Sequence, residues 1–193
     1  MIIGILGLQG DFDAHKKMVE QLGAKTLLVK TSEDLEAIDG LIIPGGESTT
    51  MTRLLFRYNL VGAVNRFHRK GKPIFGTCAG MIVLSKRILN HPEQFRFGFI
   101  DISVSRNAYG RQIDSFEQDI NIPKLGKKPF RAVFIRAPKI ESVLNKKVES
   151  LAKRGKERIL ARQGSVLVCS FHPELTHDTR VHEYFLKMVK KRD

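Results

Sequence analysis

Pro73-Ile74-Phe75-Gly76-Thr77-Cys78-Ala79-Gly80-Met81-Ile82-Val83-Leu84 places a glycine-flanked cysteine between two short apolar runs. The first run has strand length and the second continues as a helical pattern over residues 81–89, so Cys78 falls where a strand turns into a helix beginning at Ala79. A tight strand-to-helix turn of this kind needs small neighbours, because only glycine tolerates the crowded backbone while the nucleophile is lifted clear of the sheet. The helix would aim its unpaired N–H groups and the positive end of its dipole at the sulfur, which favours the reactive thiolate.

Apolar runs of strand length recur at residues 2–8, 26–29, 40–43 and 73–75, separated by helical patterns at 12–22 and 51–67. This alternation predicts an α/β fold with a mostly parallel central sheet flanked by helices. The second half changes character. Residues 99–105, 118–122, 132–135, 158–161 and 165–170 read as strands with little helix between them, which predicts antiparallel additions. Gln163-Gly164 divides the last two runs as a hairpin turn would, and Val181, Tyr184, Phe185, Met188 and Val189 give residues 179–190 the spacing of a closing amphipathic helix.

The 193 residues, 42% of them hydrophobic, suffice for one substantial core without a composition break, so residues 1–193 are read as a single domain. Residues 1–8 are apolar but too short for a membrane span, and neither a basic lead nor a cleavage site accompanies them; they read as a buried first strand. The two cysteines, Cys78 and Cys169, support neither a disulfide framework nor a zinc site, and a reducing cytoplasm is the expected setting. Cys169 lies inside an apolar run and reads as a small core residue. The net charge of +13 raises nucleic-acid binding, yet Lys and Arg are scattered in short clusters with no recognition motif, which makes them a solvated surface. An acidic partner or phosphorylated metabolite stays open. Gly4-x-x-Gly7-x-x-Gly10 does not have dinucleotide-binding spacing.

A thiol nucleophile needs a base. His172-Pro173-Glu174 follows the apolar run at residues 166–171, which places His172 at a strand end with Glu174 able to accept from the imidazole and fix its tautomer. His91-Pro92-Glu93 repeats the tripeptide but follows a helical run and reads as a helix-ending loop. Pro44-Gly45-Gly46-Glu47-Ser48-Thr49 follows residues 41–43, and its paired glycines let backbone N–H groups approach a substrate as an oxyanion hole requires. The Cys-His-Glu pattern by itself leaves several amidotransferases and thiol peptidases open, along with a module that only binds.

Together with Gly4-Ile5-Leu6-Gly7-Leu8-Gln9-Gly10, Arg106-Asn107-Ala108-Tyr109-Gly110-Arg111-Gln112, Phe134-Ile135-Arg136-Ala137-Pro138 and His172-Pro173-Glu174-Leu175, these motifs resemble class I glutamine amidotransferases. Within them the resemblance is closest to the glutaminase subunits of pyridoxal 5′-phosphate synthases, and it spans nearly the whole chain. The resemblance implies hydrolysis of L-glutamine by Cys78, His172 and Glu174 through a thioester, with no cofactor and no metal. It implies that Gly46, Glu47, Ser48, Arg106, Ile135 and Arg136 hold glutamine, and that the Gly46 and Ala79 N–H groups face the oxyanion. It also implies a separate synthase subunit that receives the ammonia, with Gln9 as an interface candidate, and no nucleic-acid or membrane partner. Residues 89–97 and 124–128 match nothing usable.

Overall fold

In the computed structural model, which describes residues 1–106 and 115–191, the first half alternates strand and helix: β1 (Ile2–Leu6), α1 (Phe12–Gln21), β2 (Lys25–Val29), α2 (Ser32–Glu36), β3 (Gly40–Ile43), α3 (Ser48–Arg57), α4 (Leu60–Arg69), β4 (Ile74–Thr77) and α5 (Ala79–Leu84). The rest is mainly strand: β5 (Ser85–Ile88), β6 (Ile100–Ser105), β7 (Ser115–Ile120), β8 (Phe130–Ile135), β9 (Lys139–Val143), β10 (Glu149–Arg154), β11 (Glu157–Gln163) and β12 (Val166–Cys169), before the closing helix α6 (Arg180–Lys190). The main sheet runs β2-β1-β3-β4-β12-β11-β9-β6-β5, with β10 on β11, while β7 and β8 form a separate ribbon. Its β2-β1-β3-β4-β12 half is parallel, and β11 joins it antiparallel through the two-residue turn after Gln163.

The inner parallel strands β1, β3, β4 and β12 are almost wholly apolar because both faces are covered, whereas edge strand β2 begins with exposed Lys25. In β3, Leu41 and Ile43 face the cluster built with Met51, Leu55, Val64 and Phe67 of α3 and α4. Ile42 faces the other cluster, built with Val19 of α1, Phe185 of α6 and Phe130 and Phe134 of β8. Phe75 and Ile74 of β4, and Leu167 and Val168 of β12, split in the same way. Pairing of Ile43 with Gly76 and of Cys169 with Thr77 brings the carboxyl ends of β3, β4 and β12 side by side, and the loops that leave them share one edge.

Three sequence expectations differ in detail. The pattern over residues 51–67 is two helices, because Asn59 takes a left-handed φ of 54° and turns the chain between them. The helical pattern at 81–89 stops at Leu84: Ser85 is extended, its Oγ donates to the Ile82 carbonyl at 2.7 Å, and the chain continues as β5. His91-Pro92-Glu93 therefore follows a strand. In addition, α2, β9 and β10 were not expected.

Candidate active site

Cys78 sits on the elbow between β4 and α5 with φ 48° and ψ −102°, in a region a non-glycine residue rarely occupies. The flanking glycines are there for contact. A Cβ on Gly80 would lie 2.2 Å from the Ile43 carbonyl oxygen, and one on Gly76 would lie 2.7 Å from the Gly80 carbonyl carbon. The elbow therefore presses directly on β3, which holds the sulfur above the strand ends. Cys78 is 6% exposed, its Sγ 3.9 Å from the Ile135 carbonyl oxygen.

His172 leaves the end of β12, where its N–H donates to the Val133 carbonyl at 2.8 Å. Its Nδ1 is 2.8 Å from Glu174 Oε1, so Nδ1–H donates a hydrogen bond to the carboxylate and Nε2 is left for the thiol side. Burial works against the imidazolium, but hydrogen bonding and charge from Cys78 and Glu174 outweigh it and lift His172 to about 10. Burial also opposes the Glu174 carboxylate, yet facing His15 and His172 brings it down to about 2. Cys169 is fully buried and its thiol is pushed well up by desolvation, in keeping with a core residue.

The loop after β3 completes the edge. A Cβ on Gly45 would lie 2.4 Å from His172 Cε1 and 3.4 Å from Cys78 Cβ, so this loop packs against both groups with no space for a side chain. Gly46 has φ 144° and lies under Gln9, whose Oε1 accepts from the Glu47 N–H at 3.0 Å. Gln9 thus holds the loop in place. Ala79 occupies the first position of α5, where its N–H has no carbonyl within the helix.

A cavity of about 390 Å³ opens beside the sulfur. Its walls are Gly46, Glu47, Ser48, Arg106, Ile135 and Arg136, the six residues expected to hold glutamine, with Cys78 and His172 at one side and Ile82 below. Arg106 donates to Glu47 Oε1 at 3.1 Å, Thr49 Oγ1 at 3.1 Å and Gln94 Oε1 at 2.7 Å. Glu47 also caps α3 by accepting from the Thr49 and Thr50 N–H groups; partial burial opposes its charge, but these bonds hold it at about 2. Arg136 takes a left-handed φ of 43°, which makes it, with Cys78, one of two strained non-glycine residues on the cavity wall. Asn107 to Gln112 of the Arg106 motif lie outside the described residues.

Sequence reading missed Thr49, Ile82 and Gln94 as contributors, the last being a buried amide within residues 89–97, and nothing in the sequence marked it. His91 is absent from the cavity and contacts exposed Glu93 instead. A larger open groove of about 840 Å³ between the β7–β8 ribbon and residues 175–180 is lined by no cysteine, and its Arg131 and Arg180 are paired with Glu117, Asp119 and Asp178. Among the described residues no His, Cys, Asp and Glu cluster could hold a metal ion, and no helix is long and apolar enough to cross a membrane.

The SNO glutamine amidotransferase family profile matches residues 5–191. The chain belongs to that family. This amidotransferase is 54% identical over 191 residues to the pyridoxal 5′-phosphate synthase subunit PdxT of Fervidobacterium nodosum, covering 99% of this chain and 98% of the relative. It is 54% identical to the subunit of the same name from Thermosipho africanus, covering 99% and 100%. A crystal structure of a glutamine amidotransferase superposes with a TM-score of 0.92 at 46% identity, over 98% of this amidotransferase and all of that chain.

Proposed function

We propose that this amidotransferase hydrolyses L-glutamine to L-glutamate and ammonia with Cys78 as nucleophile, and that the ammonia passes to a separate synthase subunit that builds pyridoxal 5′-phosphate. The convergence of Cys78 and the His172–Glu174 pair on a cavity walled by Gly46, Glu47, Ser48, Arg106, Ile135 and Arg136 supports this reading. The names of the Fervidobacterium and Thermosipho relatives supply the synthase.

In the proposed reaction the Cys78 thiolate attacks the side-chain amide carbon, and the tetrahedral oxyanion accepts from the Gly46 and Ala79 N–H groups. Each such donor is worth roughly 10²–10³ in rate. His172, an imidazolium at neutral pH by its raised affinity, gives its proton to the departing nitrogen; ammonia leaves and a glutamyl thioester remains. Neutral His172 then takes a proton from water, the hydroxide adds to the thioester, and collapse releases glutamate and the thiolate. Glu174 stays ionised throughout and keeps the ring aimed. Arg106 and Arg136 supply positive charge for the α-carboxylate of free glutamine. Gln9, whose amide binds the Glu47 N–H of the β3 loop, is the candidate contact for the synthase.

Glutamate release from glutamine, measured with and without the cognate synthase subunit, tests the reading. Release that requires Cys78 and rises with the synthase supports it. No release in the presence of a bound synthase would favour a module that only binds, and release retained by Cys78→Ala would overturn the mechanism.

A further inference from the structure

The catalytic carboxylate has a second side that the proposed reaction leaves unused. Glu174 Oε1 serves His172, while Oε2 lies fully inside the protein, 3.4 Å from Nε2 of His15 on α1. The same His15 Nε2 is 3.2 Å from Oγ1 of Thr77, the residue before the nucleophile, and His15 Nδ1 is 3.0 Å from Nε2 of His182 on α6. His15, Thr77 and His182 have no exposed surface, and Phe75 meets both imidazoles edge-on.

Chemistry fixes where the protons sit in this chain. Burial keeps both imidazoles neutral, lowering His15 and taking His182 down to about 3. A neutral imidazole has one N–H and one lone pair. A carboxylate only accepts, and Glu174 Oε2 is buried with no hydrogen-bond partner, so the His15 N–H belongs at Nε2, where it faces Thr77 Oγ1 at 3.2 Å and Glu174 Oε2 at 3.4 Å. Its Nδ1 lone pair must then accept from Nε2–H of His182, and His182 Nδ1, buried with no partner, carries the remaining lone pair. The opposite tautomer of His15 would set its Nε2 lone pair against the carboxylate, with the Thr77 hydroxyl alone left to donate to that nitrogen, and its Nδ1–H would then have to meet a lone pair on His182 Nε2. The short nitrogen–nitrogen contact leaves no room for an ion between the rings.

We propose that His15, with its tautomer set by the carboxylate and matched by His182, is a positioning residue for the hydrolysis: it steadies the second oxygen of Glu174 so that the first stays directed at His172. The set Cys78–His172–Glu174 thereby continues through α1 to α6, and the two helices that cover one face of the sheet are tied to the chemistry at its edge. This rests on the reading of Cys78, His172 and Glu174 given above. The titratable groups facing this chain are Asp11 at the N-cap of α1, Cys78 at the elbow, and Cys169 on β12, together with His172 itself.

The test has two arms, both on the full chain. Nitrogen-15 NMR of the wild-type histidines should show His15 and His182 as neutral rings protonated at Nε2; a His15 ring protonated at Nδ1 alone would overturn the proposal. In the complex with the synthase, His15→Leu should lower kcat for glutamate release about 10-fold or more, the scale of one hydrogen bond to a charged group, with KM for glutamine within about twofold. It should also move the acid limb of the kcat profile upward in pH, and His15→Gln, which returns an N–H donor, should recover part of both. Unchanged kcat and unchanged profile in His15→Leu would overturn the proposal while Cys78→Ala still abolishes release; release by Cys78→Ala would instead remove the reading on which it rests. Should His15→Leu not fold, His182→Phe gives the same test with a smaller loss of kcat, and no loss there counts against the proposal.

Discussion

Gly45→Ala places one methyl group between the Cys78 and His172 side chains. The added carbon would lie 2.4 Å from His172 Cε1, 3.0 Å from Nδ1 and 3.4 Å from Cys78 Cβ. The ring must retreat by about 1 Å to regain ordinary contact, and a misplacement of that size costs about 10²-fold in rate, or about 2.7 kcal/mol of activation free energy. Retreat is opposed on both sides. The imidazole is bonded to Glu174 at 2.8 Å, and the Gly45 carbonyl is already pressed against Gly10, where a Cβ would lie 1.7 Å from its oxygen. If the loop moved instead, the Gly46 N–H would leave its proposed oxyanion position, with a loss of similar size. Steady-state glutamate release by Gly45→Ala in complex with the synthase should therefore show kcat down about 10²-fold. The melting temperature controls for folding. A properly folded variant with kcat within about threefold of wild type would refute the packing argument, since a 1 Å shift is expected to cost far more.

Arg106→Lys should raise KM for glutamine by about tenfold with a smaller change in kcat, because an ammonium cannot reproduce the fork that spans Glu47, Thr49 and Gln94; initial rates over a glutamine series decide this. Asn59→Val should cost about 1–2 kcal/mol in urea denaturation, because a β-branched residue resists the left-handed turn between α3 and α4, whereas Asn59→Gly should stay within a few tenths. The folded chain resists protonation of His182 until about pH 3, while the unfolded chain takes up that proton near 6.5. Stability from this group is thus complete above about 6.5 and declines as pH falls toward 3, so urea midpoints should drop across that window and drop less in His182→Phe.

The parallel half of the fold was legible because burial on both faces leaves its strands almost wholly apolar, and the elbow was legible because glycines must flank it. Where burial is one-sided or local hydrogen bonds decide, the sequence misled. The run at 81–89 is apolar enough for a helix, but the extended backbone at Ser85, tied to the Ile82 carbonyl, ends it early. Strand β10, Glu-Ser-Leu-Ala-Lys-Arg, has too little apolar character to stand out and is held by pairing with β11. All six residues assigned to glutamine by resemblance line one cavity, but Gln94 could not be found from a buried amide in an unremarkable loop. His15 and His182 occupy the core faces of amphipathic helices, where a histidine looks like any other inward residue until its neighbours across the fold are known.

Covalent labelling tests the central claim most directly. A glutamine analogue with an electrophilic ketone in place of the amide, added to the synthase complex and followed by peptide mass spectrometry, should mark Cys78 alone, and excess glutamine should protect it. Labelling at Cys169 or elsewhere, or labelling of Cys78 that glutamine does not slow, would contradict a glutamine site built around the Cys78 thiol.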